Sequence, residues 1–259
     1  MAYETLILEK QDNVAIVKLN RPPVNSLNVQ SYIDLYDMFC ELEKDDSVKA
    51  ILITGAGDKA FGAGLDVKDV AGNSTVWCFD FLKLVRKAMD KISNIDKPTV
   101  AAMFGFTLGG GCEIAVACDI RLSTPDATIG LPEITLGVMP GAGGTQRLPR
   151  IVGIPKAKEL IFLGDSINGE EAYRIGLVNK VTAKESLMDE AMKVARKLAS
   201  RPRVALSLIK NCINSSATMD LPSGLMMEDE SFTIAYTSDD GREGIQAFIE
   251  KRKPAFTGK

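Results

Sequence analysis

The stretch that most restricts this chain is residues 99–113, TVAAMFGFTLGGGCE. Residues 99–103 read as a buried strand, and after a turn three consecutive glycines lead into a helix that carries one glutamate. Glycines have no side chains to crowd an incoming group, so backbone N–H groups at a helix start can face a negatively charged atom. Glu113, one turn further on, sets a carboxylate beside those amides. Amides placed for an oxyanion, next to a proton-handling group, suggest carbonyl chemistry. The same residues also fit a plain strand-to-helix turn in which Glu113 favours the helix dipole. This stretch alone leaves both readings open.

The absence of histidine from all 259 residues narrows the chemistry. Ser-His-Asp triads, Cys-His dyads and histidine metal sites are excluded together, so acid–base work falls to Asp, Glu, Lys, Tyr or Cys. No metal ligand set and no cofactor is expected. The five cysteines, Cys40, Cys78, Cys112, Cys118 and Cys212, form no C-x-x-C pair and are odd in number, which fits reduced thiols in a cytoplasmic enzyme. Cys112 lies beside the glycines, but a small buried thiol is an ordinary packing residue. A net charge of −3 argues against nucleic acid as the main partner. No secretory signal is visible at the start, and the longest charge-free stretch near the middle, residues 98–112, is too short to span a membrane.

Taken in order, residues 5–9 and 14–19 predict a hairpin, Asn28 caps a helix with Leu35, Phe39 and Leu42 on one face, and residues 49–54 predict a buried strand. Gly55-x-Gly57-x-x-Ala60 after that strand matches a loose dinucleotide fingerprint. The glycine-rich run continues where a helix should open, so nucleotide binding is not expected. A helix over residues 75–94 carries Trp77, Phe81, Leu84, Val85, Ala88 and Ile92 at helical spacing, a pattern of core packing. Strands follow at 120–123, 127–129 and 177–181, with a second glycine-rich loop at 140–147. From Lys184 onward the pattern is helical. The expected organisation is a strand-and-helix core over 1–195, then a helical region over 196–259 suited to packing on another subunit.

Two glycine-rich turns, at Gly64-Leu65 and Gly109-Gly110, could supply N–H donors, and two glutamates follow the second, Glu113 and Glu133. Two amides and two carboxylates are the parts needed to hold an acyl carbonyl and move protons beside it. Spacing does not establish that they meet. Each glutamate by itself is also an ordinary surface or cap residue.

Three motifs carry a resemblance to a known family: AFGAGLDVK at 60–68, GFTLGGGCEIAVACDI at 105–120 and PEITLGVMPGAGGTQRL at 132–148. They resemble the signatures of the crotonase, or enoyl-CoA hydratase, family, and the likeness extends through LVNKV at 177–181 to AFIEKRK at 247–253. The resemblance implies an α/β fold, the crotonase (ClpP-like) spiral of ββα units with a C-terminal helical trimerisation region, and a homotrimer or a hexamer built from two trimers. It implies a lyase acting on an acyl-CoA thioester, with CoA entering as part of the substrate. The thioester oxygen would accept bonds from the N–H groups of Leu65 and Gly110. Glu113 would activate a water for attack at Cβ, and Glu133 would exchange the proton at Cα. Ala63, Gly64, Leu65, Asp66, Val67 and Lys68 would line the CoA path. Phe232 and Lys251 match tail positions that contact CoA in relatives, from the same or another subunit. Leu65 stands where many hydratases have Ala, Phe104 where Asn is frequent and Leu131 where Gln is frequent, so acyl length and shape stay open. A hydratase for a cyclic or dienoyl thioester, a ring-opening hydrolase, an isomerase and an RNA-binding member are the alternatives. The last would use the basic residues Lys193, Arg196, Lys197, Arg201 and Arg203.

Overall fold

A computed structural model describes residues 3–258. Strands β1 (Leu6–Gln11) and β2 (Val14–Leu19) pair antiparallel around Asp12 and Asn13. The φ angles of those two residues, 51° and 62°, are the left-handed values that a two-residue hairpin turn demands. The sheet then continues in parallel through β3 (Ala50–Gly55), β5 (Thr99–Met103), β7 (Ile120–Ser123) and the short β9 (Lys180–Val181). The order is β1-β2-β3-β5-β7-β9. A smaller parallel sheet lies beside it, made of β4 (Ala60–Gly62), β6 (Phe106–Leu108) and β8 (Thr128–Gly130). The chain visits the two sheets alternately, β3 to β4, β5 to β6, β7 to β8, and each pair is followed by helix. This is the spiral of ββα units.

The large sheet is apolar on both faces, as a parallel sheet covered by helices must be. Ala15, Val17, Ile51, Ile53 and Ala101 pack toward α1 (Val29–Lys44), α3 (Thr75–Asn94) and α4 (Gly110–Ala117). Their neighbours Val14, Ile16, Ala50, Leu52 and Val100 pack on α8 (Leu187–Ala199) through Leu187, Ala191 and Ala195. Helix α1 begins where Asn28 accepts from the Ser31 N–H at 2.9 Å while the Ser31 hydroxyl accepts from the Asn28 N–H at 3.2 Å. Its other end is held by Lys97, fully buried, whose ammonium donates to the carbonyls of Leu42 and Asp45.

The structure departs from expectation in three places. Of the small sheet the sequence reading holds only the strand at 127–129, which is β8 within one residue, whereas β4 and β6 are missed because three-residue strands carry no measurable alternation. The second glycine-rich loop runs directly into a helix, α5 (Gly144–Val152), entered through Gly143 at φ 104° and followed by α6 (Ile154–Leu163). Residues 177–181 supply only the two-residue β9. Leu177 and Val178 instead donate to the Ala172 carbonyl and close off helix α7 (Gly169–Arg174). The chain ends in α9 (Arg203–Ser215), α10 (Leu221–Thr237) and α11 (Asp239–Ile249). These helices leave Ile213, Leu221, Met226, Phe232 and Phe248 exposed. Among the described residues no helix is long and apolar enough to cross a membrane.

Candidate active site

Between α3, the start of α4 and the 132–147 segment lies a cleft of about 1480 Å³. Three consecutive glycines put the start of α4 there for different reasons. Gly109 has φ 51° and ψ −126°, a conformation that a side chain strongly disfavours, and a Cβ on it would stand 3.2 Å from Glu133 Oε1. A Cβ on Gly111 would stand 2.1 Å from the Gly62 carbonyl oxygen, so this glycine lets α4 seat directly on β4. Gly110, between them, is the first residue of the helix. Its N–H lies in the first turn, where no intrahelical acceptor exists, at the positive end of the helix dipole.

The second amide comes from a different segment. Leu27 and Leu65 form a single parallel bridge, in which the Leu27 N–H donates to the Gly64 carbonyl and the Asp66 N–H donates to the Leu27 carbonyl, both at 2.7 Å. That pattern uses the groups on either side of Leu65 and turns the Leu65 N–H away from Leu27. A Cβ on Gly64 would stand 3.7 Å from the Gly110 nitrogen, so the two turns are in close approach. Two outward-turned amides thus flank one point in the cleft.

Both glutamates reach the same cleft. Glu113, 3% exposed on α4, accepts at Oε1 from the N–H groups of Ala142 at 2.8 Å and Gly144 at 2.7 Å. Burial raises its pKa to about 7, the Glu133 charge adds to the rise, and the two N–H bonds hold it down. Arg147 keeps those amides in place by donating to the Ala142 carbonyl at 3.1 Å while its other nitrogen meets Asp90 at 3.1 Å. Glu133 sits in the 3₁₀ turn Pro132–Leu136. Its Oε2 is buried without a hydrogen-bond partner, and burial raises its pKa as well. Both carboxyls are thus held above the ordinary carboxylate range, and the charge of Glu133 is felt at Glu113. Cys112 is no nucleophile here, because burial pushes its thiol up to about 12.

Of the residues expected from sequence, the structure brings together Ala63, Gly64, Leu65, Val67, Gly110, Glu113 and Glu133 on the cleft wall. Asp66 and Lys68 lie outside it. Asp66 caps the short helix α2 (Val67–Val70) and meets Arg21 at 3.2 Å, and Lys68 is exposed. Phe232 stacks on Tyr236 on α10, and Lys251 follows α11; neither borders this chain's cleft. Trp77 and Phe81, whose spacing fits core packing and whose place beside the 72–75 turn also allows them to face substrate, line the cleft as a stacked pair 5.1 Å apart. Sequence reasoning missed Tyr32, Arg147 and the Ala142 and Gly144 amides. The glycine-rich 141–144 run was a visible signal for the amides. Tyr32 was hidden at core spacing, three residues before Leu35.

Known proteins resemble the chain along its whole length. The family model for enoyl-CoA hydratase/isomerase matches residues 9–259. The crotonyl-CoA hydratase of Syntrophomonas wolfei is 41% identical over 260 residues, covering all of both chains. The short-chain-enoyl-CoA hydratase of Clostridium acetobutylicum is 42% identical, covering 98% of this chain and 97% of that one. The crystal structure of enoyl-CoA hydratase from Bacillus anthracis superposes with a TM-score of 0.94 at 36% identity, covering 99% of this chain and all of that one.

Proposed function

The chain belongs to the enoyl-CoA hydratase/isomerase family, and from that premise we propose that it is an enoyl-CoA hydratase, a lyase that adds water reversibly and syn to a short 2-enoyl-CoA such as crotonyl-CoA. The product is the 3-hydroxyacyl-CoA. The observation that carries this reading is the meeting of two carboxylates with two free amides in one cleft.

In the proposed mechanism the thioester oxygen accepts from the N–H groups of Leu65 and Gly110. Attack at Cβ moves the double-bond electrons onto the thioester, and the charge that develops on that oxygen meets two fixed dipoles. Each such donor is worth roughly 3–4 kcal/mol of barrier in water-excluded sites. Glu113 takes a proton from the attacking water as its oxygen bonds to Cβ. Glu133 gives its proton to Cα. The hydrogen bonding fits this division: two N–H donors stabilise a charge on Glu113 against the burial that raises its pKa, whereas Oε2 of Glu133 has no donor to stabilise one. Solvent exchange then returns the proton to its starting place. No cofactor is required beyond the CoA that the substrate carries.

The reading extends to the surroundings. Asp66 and Lys68 flank the CoA entrance, and Phe232 and Lys251 reach a neighbouring subunit's thioester. We place the protein in the cytoplasm as a trimer or hexamer joined through the exposed apolar faces of α9, α10 and α11, which make up the 196–259 region outside the 1–195 core. Nucleic-acid binding gains no support: of the basic residues on this flank, Arg196 pairs with Asp12 and Arg203 with Asp46 and Asp96. A second substrate reading, a planar cyclic or dienoyl thioester, is favoured by the stacked Trp77 and Phe81 on the cleft wall. Incubation of purified protein with crotonyl-CoA tests the proposal. Loss of the conjugated-thioester absorbance with formation of 3-hydroxybutyryl-CoA is expected, and an unchanged spectrum across linear, branched and cyclic enoyl-CoAs would overturn it.

A further inference from the structure

Tyr32 is a polar side chain that the mechanism above leaves unused. It projects from α1, is 2% exposed, and its hydroxyl makes no hydrogen bond to any described residue although it borders the cleft. The ring is packed away while the hydroxyl is left free at the cleft, where a bound group can accept from it. Its position is fixed. The ring meets Phe81 edge-on at 5.7 Å, and Phe81 is in turn stacked on Trp77. A Cβ on Gly110 would stand 2.9 Å from the Tyr32 hydroxyl and 4.0 Å from Gly64 Cα, the carbon that precedes the Leu65 N–H. The hydroxyl therefore borders the point on which the Leu65 and Gly110 amides converge.

We propose that the Tyr32 hydroxyl is a third hydrogen-bond donor to the thioester oxygen, completing an oxyanion site built otherwise from backbone. This rests on the acyl-CoA reading of the cleft. A phenol suits the role because it donates without carrying charge. Burial and the charges of Glu113 and Glu133 hold its proton on well above the ordinary tyrosine range, so it stays a donor at every working pH. A phenol also differs from the two amides in being removable by mutation. The Leu65 and Gly110 N–H groups survive any substitution except proline.

Tyr32→Phe keeps the ring and its contact with Phe81 and removes only a hydroxyl that the fold does not use, so the melting temperature should stay within a few degrees. Two readouts are needed. With crotonyl-CoA, kcat should fall about 100-fold, the size of effect that losing one oxyanion donor has, while KM changes little. With a chromophoric cinnamoyl-CoA, the red shift of the bound thioester reports polarisation of its carbonyl, and it should shrink in the variant. A kcat within twofold of the parent protein overturns the proposal. So does an undiminished red shift, whatever kcat does, because loss of activity alone would mark a packing role. If the parent protein hydrates no enoyl-CoA, the hydratase reading fails, yet the cinnamoyl-CoA shift with and without the hydroxyl still decides whether Tyr32 donates.

Discussion

Replacing Glu113 by glutamine should stabilise the protein while disabling it. The fold holds this carboxyl 3% exposed and raises its pKa from 4.5 to about 7. A raised pKa means that the folded state binds the proton more tightly than the unfolded state does. Stability from this group is thus fully present below pH 4.5 and is lost as pH climbs through about 7. At about 1.4 kcal/mol per tenfold change, the full penalty above that pH is about 3 kcal/mol. Glutamine carries no charge to bury, and its Oε1 still accepts from the Ala142 and Gly144 amides. Urea unfolding of both proteins at pH 5, 6, 7 and 8 measures the difference. The variant should gain on the parent steadily across this range, then level off at about 3 kcal/mol. A difference that stays flat from pH 5 to 8 would show that burial does not raise the Glu113 carboxyl, and the argument from its burial would fall with it.

The pH–rate profile should show an acid limb near pH 7 as Glu113 loses its proton, and Arg147→Ala should move that limb upward, since the guanidinium charge lowers the Glu113 pKa; steady-state rates from pH 5 to 9 check both. Gly109→Ala should cost at least about 100-fold in kcat/KM, because a Cβ meets Glu133 Oε1 at 3.2 Å in a backbone conformation unsuited to alanine. Leu52→Ala, beneath α8 and far from the cleft, should cost about 2–5 kcal/mol in urea unfolding and leave kcat unchanged.

Much of the frame was legible in the sequence because its signals are strong and local. Helix α3 spans residues 75–94 as its apolar spacing requires, and Asn28 caps α1 through its own side chain. Strand β5 matches residues 99–103 because a fully buried strand shows as an unbroken apolar run. The glycine triplet gave away a close approach, but not that each of its members answers to a different neighbour. What stayed hidden depends on contacts between distant segments. The Leu65 amide is free only because Leu27 occupies its flanks, and Glu113 is oriented by amides 29 and 31 residues away. Tyr32 reads as one more member of an apolar stripe until Gly110 is placed against its hydroxyl. Phe232 and Lys251 match tail positions that contact CoA in relatives, yet in this chain neither lines the cleft.

The central claim is that Glu113 and Glu133 act as one unit in adding water across the double bond, and a double-mutant cycle tests it most directly. The turnover of crotonyl-CoA is measured for the parent protein, Glu113→Gln, Glu133→Gln and the double variant, with thioester binding checked by calorimetry. Groups that act as a unit are strongly non-additive. Each single change should remove at least about 1000-fold of kcat with binding retained, and the double change should cost little more than the worse single one. Single variants that keep near-parental rates, or losses that multiply in the double variant, would contradict the account.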